Sequence, residues 1–288
     1  MASRSRAHRP SITLIGAGSL ARALGPALRT AGYPIEAVAF RETAASRKRA
    51  IALARTLDSR AVPLEQTLPA TDIVWLCHTD DALAETASRL ARKPGWRGKI
   101  VFHSSGALTS EVLAPLRRAG AHTASLHPMM TFVPGTTPLM QAVPFGVEGE
   151  RRAVTVARRI VQDLGAEVFE IRKKAKVLYH ALGSFSSPLV VATLVTAERV
   201  GRAAGLSRRQ TRKVMGPILQ QTLKNYLERS AAAALSGPIK RGDLETVRRH
   251  LAELKRVPGA ANVYRALVRS AARDLPTAKK ERLLKVLG

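Results

Sequence analysis

The chain has 288 residues, 45% of them hydrophobic, enough to bury one large core or two ordinary ones. Its single cysteine, Cys77, excludes an internal disulfide and fits a reducing compartment. The net charge of +26 favours anionic partners, whereas an aromatic content of 4% leaves little for stacking single-stranded nucleic acid.

That charge is uneven. Of the 47 lysines and arginines, 24 fall in residues 173–288, against 7 of the 21 acids. Pairs such as Arg208–Arg209 and Arg248–Arg249 have apolar neighbours and read as solvated helix faces, so no specific nucleic-acid partner is expected. No run approaches the roughly 18 apolar residues of a membrane span. The basic start, MASRSRAHRP, has no hydrophobic stretch behind it and reads as a short arm. The expected location is cytoplasmic, with no membrane partner.

In chain order, Ile12 to Ile15 form an apolar strand, and Gly16, Gly18 and Ala21 complete G-x-G-x-x-A ahead of a helix that runs to Gly32. Gly16 permits the tight turn, Gly18 lets the backbone approach a pyrophosphate, and Ala21 lets helix and strand pack closely. The strand–turn–helix context marks Gly16, Ala17, Gly18, Ser19, Leu20 and Ala21 as cofactor-binding. The next strand, EAVAF, ends at Phe40 and is followed by Arg41, Glu42 and Thr43, then Ser46-Arg47-Lys48-Arg49. A cation at this place accommodates the 2′-phosphate of NADP, an acid the ribose of NAD. Arg41, Thr43 and Arg47 therefore point to NADP, with Glu42 turned away or opening the next helix; NAD and a deazaflavin are the less favoured cofactors.

Further strands are expected at AVPL (61–64), DIVWLC (72–77), KIVFH (99–103), HTASLH (122–127), PFGVEG (144–149) and AEVFEI (166–171), most of them separated by helices. This alternation gives a doubly wound, mostly parallel sheet of Rossmann type over residues 1–172. Three strand ends deliver polar groups to one crevice: His78 and Thr79, then His103, Ser104, Ser105 and Gly106, then His127. From 173 to 288 there is little strand signal and a helical period runs through most of the sequence, giving an all-α second domain. It starts with a long helix near Lys174–Ala204, bent at Pro188. A helix N-capped by Ser207 follows, then a loop SGPIKRGD, a helix from Asp243 and two more. In the first of these helices Lys176, Tyr179 and His180 share one face, continued by Gly183, Ser184 and Ser187.

HSSGAL (103–108), SLHPMMTF (125–132), KVLYHALGSF (176–185) and SGPIKRGDLETVRRHL (236–251) together carry a resemblance. The chain resembles bacterial proteins in which a Rossmann-like domain precedes "domain of unknown function 2520". Its wider relatives are 6-phosphogluconate and β-hydroxyacid dehydrogenases, pyrroline-5-carboxylate reductase and prephenate dehydrogenase. The resemblance implies a helical domain like the C-terminal one of 6-phosphogluconate dehydrogenase, and a homodimer formed through it. Lys176 is similar to the lysine that opens the first interdomain helix of β-hydroxyacid dehydrogenases, although Tyr179 and His180 replace the Asn-Asn or His-Asn found there.

These readings converge on an NADP-dependent oxidoreductase for a small carbonyl, hydroxy-acid or imine substrate, with its site in the crevice between the domains. Lys176 is the expected general acid, with Tyr179 or His180 completing the relay. Ser104, Ser105 and His127 would orient the substrate, Gly106 and Ser184 would border it, and Arg241 would pair with its carboxylate. The alternatives are an NADP sensor without turnover, suggested by the altered K-x-x-Y-H pattern, a metal enzyme built on His103, His127 and His180, and nucleic-acid binding through charge alone. No metal-ligand spacing such as HExxH or CxxC supports a metal centre.

Overall fold

The computed structural model describes residues 9–66, 70–133, 135–136 and 138–288; most of the basic N-terminal arm lies outside them. The chain forms two compact units, Met1–Phe185 and Ser186–Gly288. The first turns of the long helix, which the sequence assigns to the helical domain from residue 173, fall in the first unit with the sheet.

In the first unit the strands are β1 (Ile12–Ile15), β2 (Ile35–Phe40), β3 (Arg60–Pro63), β4 (Ile73–Leu76), β5 (Ile100–His103), β6 (His122–Pro128), β7 (Phe145–Gly149) and β8 (Val168–Glu170). Their order in one sheet is β3-β2-β1-β4-β5-β6-β7-β8. The central runs ITLI, IVWL and IVFH are buried on both faces, as parallel strands covered by helices must be. The helices are α1 (Ser19–Thr30), α2 (Ala44–Thr56), α3 (Asp80–Ala91), α4 (Ala114–Arg118), α5 (Arg151–Asp163) and α6 (Lys176–Ser186). One pairing breaks the parallel pattern: β6 and β7 run antiparallel. A parallel pair needs a crossover of a dozen or more residues, usually a helix, and the described residues of the β6–β7 connection hold only the short turn Met140–Ala142.

The sheet has two cores. One, on the α1 and α5 side, includes Leu14, Trp75, Phe102, Leu126 and Phe145; the other, on the α3 and α4 side, includes Ile15, Leu76, Leu83, Val101 and Leu116. On that second face the sheet turns polar toward β7, where α6 packs.

The second unit contains α7 (Pro188–Ala203), α8 (Arg208–Glu228), α9 (Ala231–Ala234), α10 (Gly237–Arg241), α11 (Leu244–Leu254), α12 (Ala260–Asp274) and α13 (Lys280–Leu287). Its core includes Val247, Leu251, Val268, Ala272, Leu283 and Leu287. The break between α6 and α7 comes at Ser187 (φ −134°, ψ −83°), immediately before Pro188. Ser207 caps α8 in a reciprocal capping box with Gln210. The stretch SGPIKRGD, expected as a loop, holds the short helix α10. Gly242 (φ +61°) ends it, and Asp243 caps α11 through the Thr246 amide and hydroxyl, at 3.1 and 2.7 Å. A side chain at 242 would collide with the Ala278 carbonyl, so this motif is a tight helix-to-helix turn.

One expectation about hydropathy is corrected. The helical stretch Lys173–Ala203 is long and apolar enough for a membrane span by length and composition, because no Asp, Glu, Lys or Arg stands between Lys176 and Glu198. Among the described residues none of its most apolar window is buried.

Candidate active site

Strand register builds the site. His103 on β5 lies beside Ser125 on β6, and Ser125 opposite Glu148 on β7. Neighbours in register point to the same face, so these three form a polar row; His127 and Gly146 form the next row on that face. All three members of the first row are buried. Glu148 accepts from the Ser110 amide and hydroxyl at 2.6 and 2.8 Å, pinning the loop that follows β5.

Helix α6 lays its expected stripe on these rows. Lys176 Nζ donates to Ser125 Oγ at 2.6 Å, and Tyr179 Oη lies 3.1 Å from His127 Nδ1. The His127 ring meets Tyr179 and His180 edge to face, with centroids 5.6 and 6.1 Å apart. Three glycines make the approach possible. A Cβ at Gly146 would sit 2.6 Å from Tyr179 Oη, one at Gly106 would sit 2.9 Å from His127 Nε2 and run into His180, and one at Gly183 would sit 2.8 Å from Met129 Sδ. Lys176, Tyr179 and Gly183 thus face the β5–β7 end of the sheet, while His180 is exposed at its margin.

Burial sets the charges. Desolvation, reinforced by the Lys176 ammonium, pushes His103 down to about 3 and His127 down to about 4, so both imidazoles are neutral at pH 7. Desolvation pushes Tyr179 up to about 12, keeping the phenol protonated. It also lowers Lys176 to about 8, against the opposing pull of Glu148 and of Asp80 at the start of α3.

A cavity of about 420 Å³ opens beyond the C-terminal ends of β1, β2, β4 and β5. Its walls include Gly16, Ala17, Gly18, Ser19 and Leu20, then Arg41, then His78, Thr79 and Ser104. Gly16 has φ +103°, and a Cβ there would crowd the Cys77 carbonyl at 3.2 Å. The first turn of α1 carries no acid and no side-chain cap, which leaves its amides open to an anion. Ala21 is buried in the core and packs α1, as its size implies. Cys77 is also buried, and its thiol is pushed up to about 12, which makes it inert.

Several expected residues stand elsewhere. Thr43 N-caps α2, accepting from the Ser46 amide at 3.2 Å. Together with Arg47 it borders a separate groove along α2 and β3, while Ser46 and Arg49, one helical turn apart, face the cavity with Arg41. The Ser104 hydroxyl is already engaged, accepting from Trp75 Nε1 at 2.8 Å and donating to the Leu126 carbonyl at 3.1 Å. Ser105 is buried and its hydroxyl accepts from the Ala107 and Leu108 amides at 3.2 and 2.8 Å, which shapes the turn. Lys176 is 1% exposed, its Nζ on Ser125. Ser184 Oγ reaches back to the His180 carbonyl at 3.5 Å. Arg241 lies in the second unit at the end of α10. Among the described residues no cluster of three His, Cys, Asp or Glu side chains is placed to hold a metal ion.

Comparison with known proteins fits this architecture. Residues 1–128 match the Rossmann-like domain, and residues 143–271 match the domain of unknown function DUF2520. No curated protein matches the sequence. Among solved structures, BF3122 of Bacteroides fragilis, a proposed NADP oxidoreductase, shares 23% identity and a TM-score of 0.74 over 91% of this chain and 98% of its own. An imine reductase from Pseudomonas sp. shares 20% identity and a TM-score of 0.64, over 97% and 100%. The Myxococcus stipitatus imine reductase in complex with NADP+ shares 19% and 0.65, over 92% and 94%. At these identities the likeness establishes the fold.

Proposed function

Because the chain joins a Rossmann-like domain to DUF2520, we propose that it is an NADP-dependent oxidoreductase acting on a small, anionic carbonyl or imine compound. The observation that carries this reading is one sheet edge with two features: a glycine cradle at the end of β1, and a Tyr179–His127 pair on β6 and α6. The neighbouring imine reductase structure that holds NADP+ supports the choice of cofactor.

The cradle fits a dinucleotide. Gly16, Gly18 and the first amides of α1 would hold the pyrophosphate, and Arg41, Ser46 and Arg49 the 2′-phosphate. His78, Thr79 and Ser104 would border the rest. When bound, the nicotinamide supplies or accepts the hydride.

The chain's own part is the proton. Hydride addition to C=O or C=N leaves negative charge on the heteroatom, which an acid within hydrogen-bond reach must neutralise. Tyr179 is the group whose proton is retained at neutral pH, and His127 orients its hydroxyl from 3.1 Å. Lys176, expected as the donor, stands behind them. Helices α7 and α8 leave Leu189, Val191, Val195, Ile218, Leu223 and Leu227 exposed, which supports a homodimer through the helical unit.

A second reading, a nucleotide sensor without turnover, is favoured by one observation: burial holds Tyr179 and His127 far from neutrality on opposite sides. NADPH consumption with a panel of 2-oxo acids and cyclic imines separates the two. Turnover lost in Tyr179→Phe supports the enzyme; NADPH binding with no turnover on any compound supports the sensor.

A further inference from the structure

Lys176 is the most deeply buried charge in the site, and nothing so far gives it work. Its Nζ makes one hydrogen bond, to Ser125 Oγ. Ser125 Oγ in turn donates to the Ser105 carbonyl at 3.3 Å, so its lone pair faces the lysine. An ammonium with three donors and a single partner in a dry setting does not stabilise the fold.

Its surroundings suggest its use. Around it stand His103 on β5, His127 on β6 and Glu148 on β7, with Asp80 at the start of α3 and Tyr179 and His180 on its own helix. Glu148 already serves the Ser110 amide and hydroxyl, and Asp80 is exposed. The two carboxylates offset part of the positive charge, and what remains adds to burial in disfavouring protonation of the two imidazoles. A protonated His127 would donate from Nδ1 to Tyr179 Oη and draw the phenol toward phenolate. A neutral one leaves the proton on tyrosine.

We infer that Lys176 is a positioning residue: its buried ammonium, seated on Ser125 beside the Tyr179–His127 pair, adds to burial in opposing a second proton on His127 and so reserves the proton of the pair for Tyr179. This rests on the reading of Tyr179 as proton source, but its test does not. In this role Lys176 acts through His127, which holds the Tyr179 hydroxyl.

The experiment is a pH titration of histidine ring carbons by NMR on the full chain, with His127 and His103 assigned by single His→Gln variants. In the native protein the His127 signal stays flat from pH 8 to about 5. In Lys176→Met its midpoint rises by about one pH unit or more, and in Lys176→Arg it stays low. Thermal unfolding checks that the variants fold; if Lys176→Met does not, Lys176→Gln takes its place. Superimposable His127 curves in native protein and the folded neutral variant overturn the inference. If the midpoint moves as expected while Tyr179→Phe keeps full turnover, the proton-source reading fails and the electrostatic role of Lys176 stands.

Discussion

Two glycines set the distance between α6 and the sheet. Gly146 has no side chain where the Tyr179 phenol lies, and Gly106 none where His127 and His180 meet. Gly146→Ala is expected to displace Tyr179, breaking its 3.1 Å contact with His127, and to cost about 1–3 kcal/mol by overpacking; urea melts and the near-UV tyrosine signal measure both. Tyr179→Phe removes only the hydroxyl. It should leave NADPH affinity unchanged and lower turnover by roughly 10²–10⁴, the usual worth of a positioned acid. The histidines give the fold a pH dependence. Their folded values, about 3 for His103 and about 4 for His127, lie below the ordinary 6.5, so the unfolded chain binds more protons in between. The stability they contribute is complete above pH 6.5. It is lost as pH falls toward 3, at about 1.4 kcal/mol per unit for each histidine. For Lys176 the window lies between about 8 and 10.5, again with stability rising with pH, and that rise should vanish in Lys176→Met. Denaturant midpoints across pH 4–10 check both.

At the scale of elements, α6 was legible in part. The spacing of Lys176, Tyr179, His180 and Gly183 marks a face, and the structure puts that face on the sheet. What it faces was hidden. Ser125 and Glu148 become neighbours only through the β6–β7 register, and the antiparallel sense of that pair depends on a connection without a crossover helix. The alternation in HTASLH was the available signal, since it puts Thr123, Ser125 and His127 on one face. At the cofactor end the sequence marked the basic run after β2 but not its phase: the three-residue spacing on α2 brings Ser46 and Arg49 into the cavity beside Arg41 and leaves Arg47 outside. On α7 and α8 several apolar residues, Val191, Val195, Ile218 and Leu223 among them, are left exposed by the described residues. Light scattering should give a dimer for the native protein and a shift toward monomer in Ile218→Lys/Leu223→Lys. A native monomer that instead sediments with lipid vesicles would mean that Lys173–Ala203 meets a membrane.

For the whole molecule, charge and fold make separate contributions. Most acids of the helical unit are spent locally, Glu198 on Arg208 and Arg212, Glu245 on Arg248 and Arg249, Asp243 on a helix cap. The remaining cations are spread over several helices. Binding to duplex DNA should accordingly be weak, indifferent to sequence, and steeply reduced between 50 and 200 mM salt, as anisotropy with two unrelated duplexes would show. The Rossmann cleft asks for a more particular anion. Arg41, Ser46 and Arg49 stand together at its β2 end, where the second ribose of a dinucleotide would lie. Charge-assisted bonds of this kind are each worth about 1.5–3 kcal/mol, so one phosphate decides the preference. Calorimetric titration of the full chain with NADPH and NADH tests this most directly. The expected result is at least about tenfold tighter binding of NADPH, lost in Arg41→Ala/Arg49→Ala with NADH affinity kept. Equal affinities for the two, or no binding of either, would contradict it.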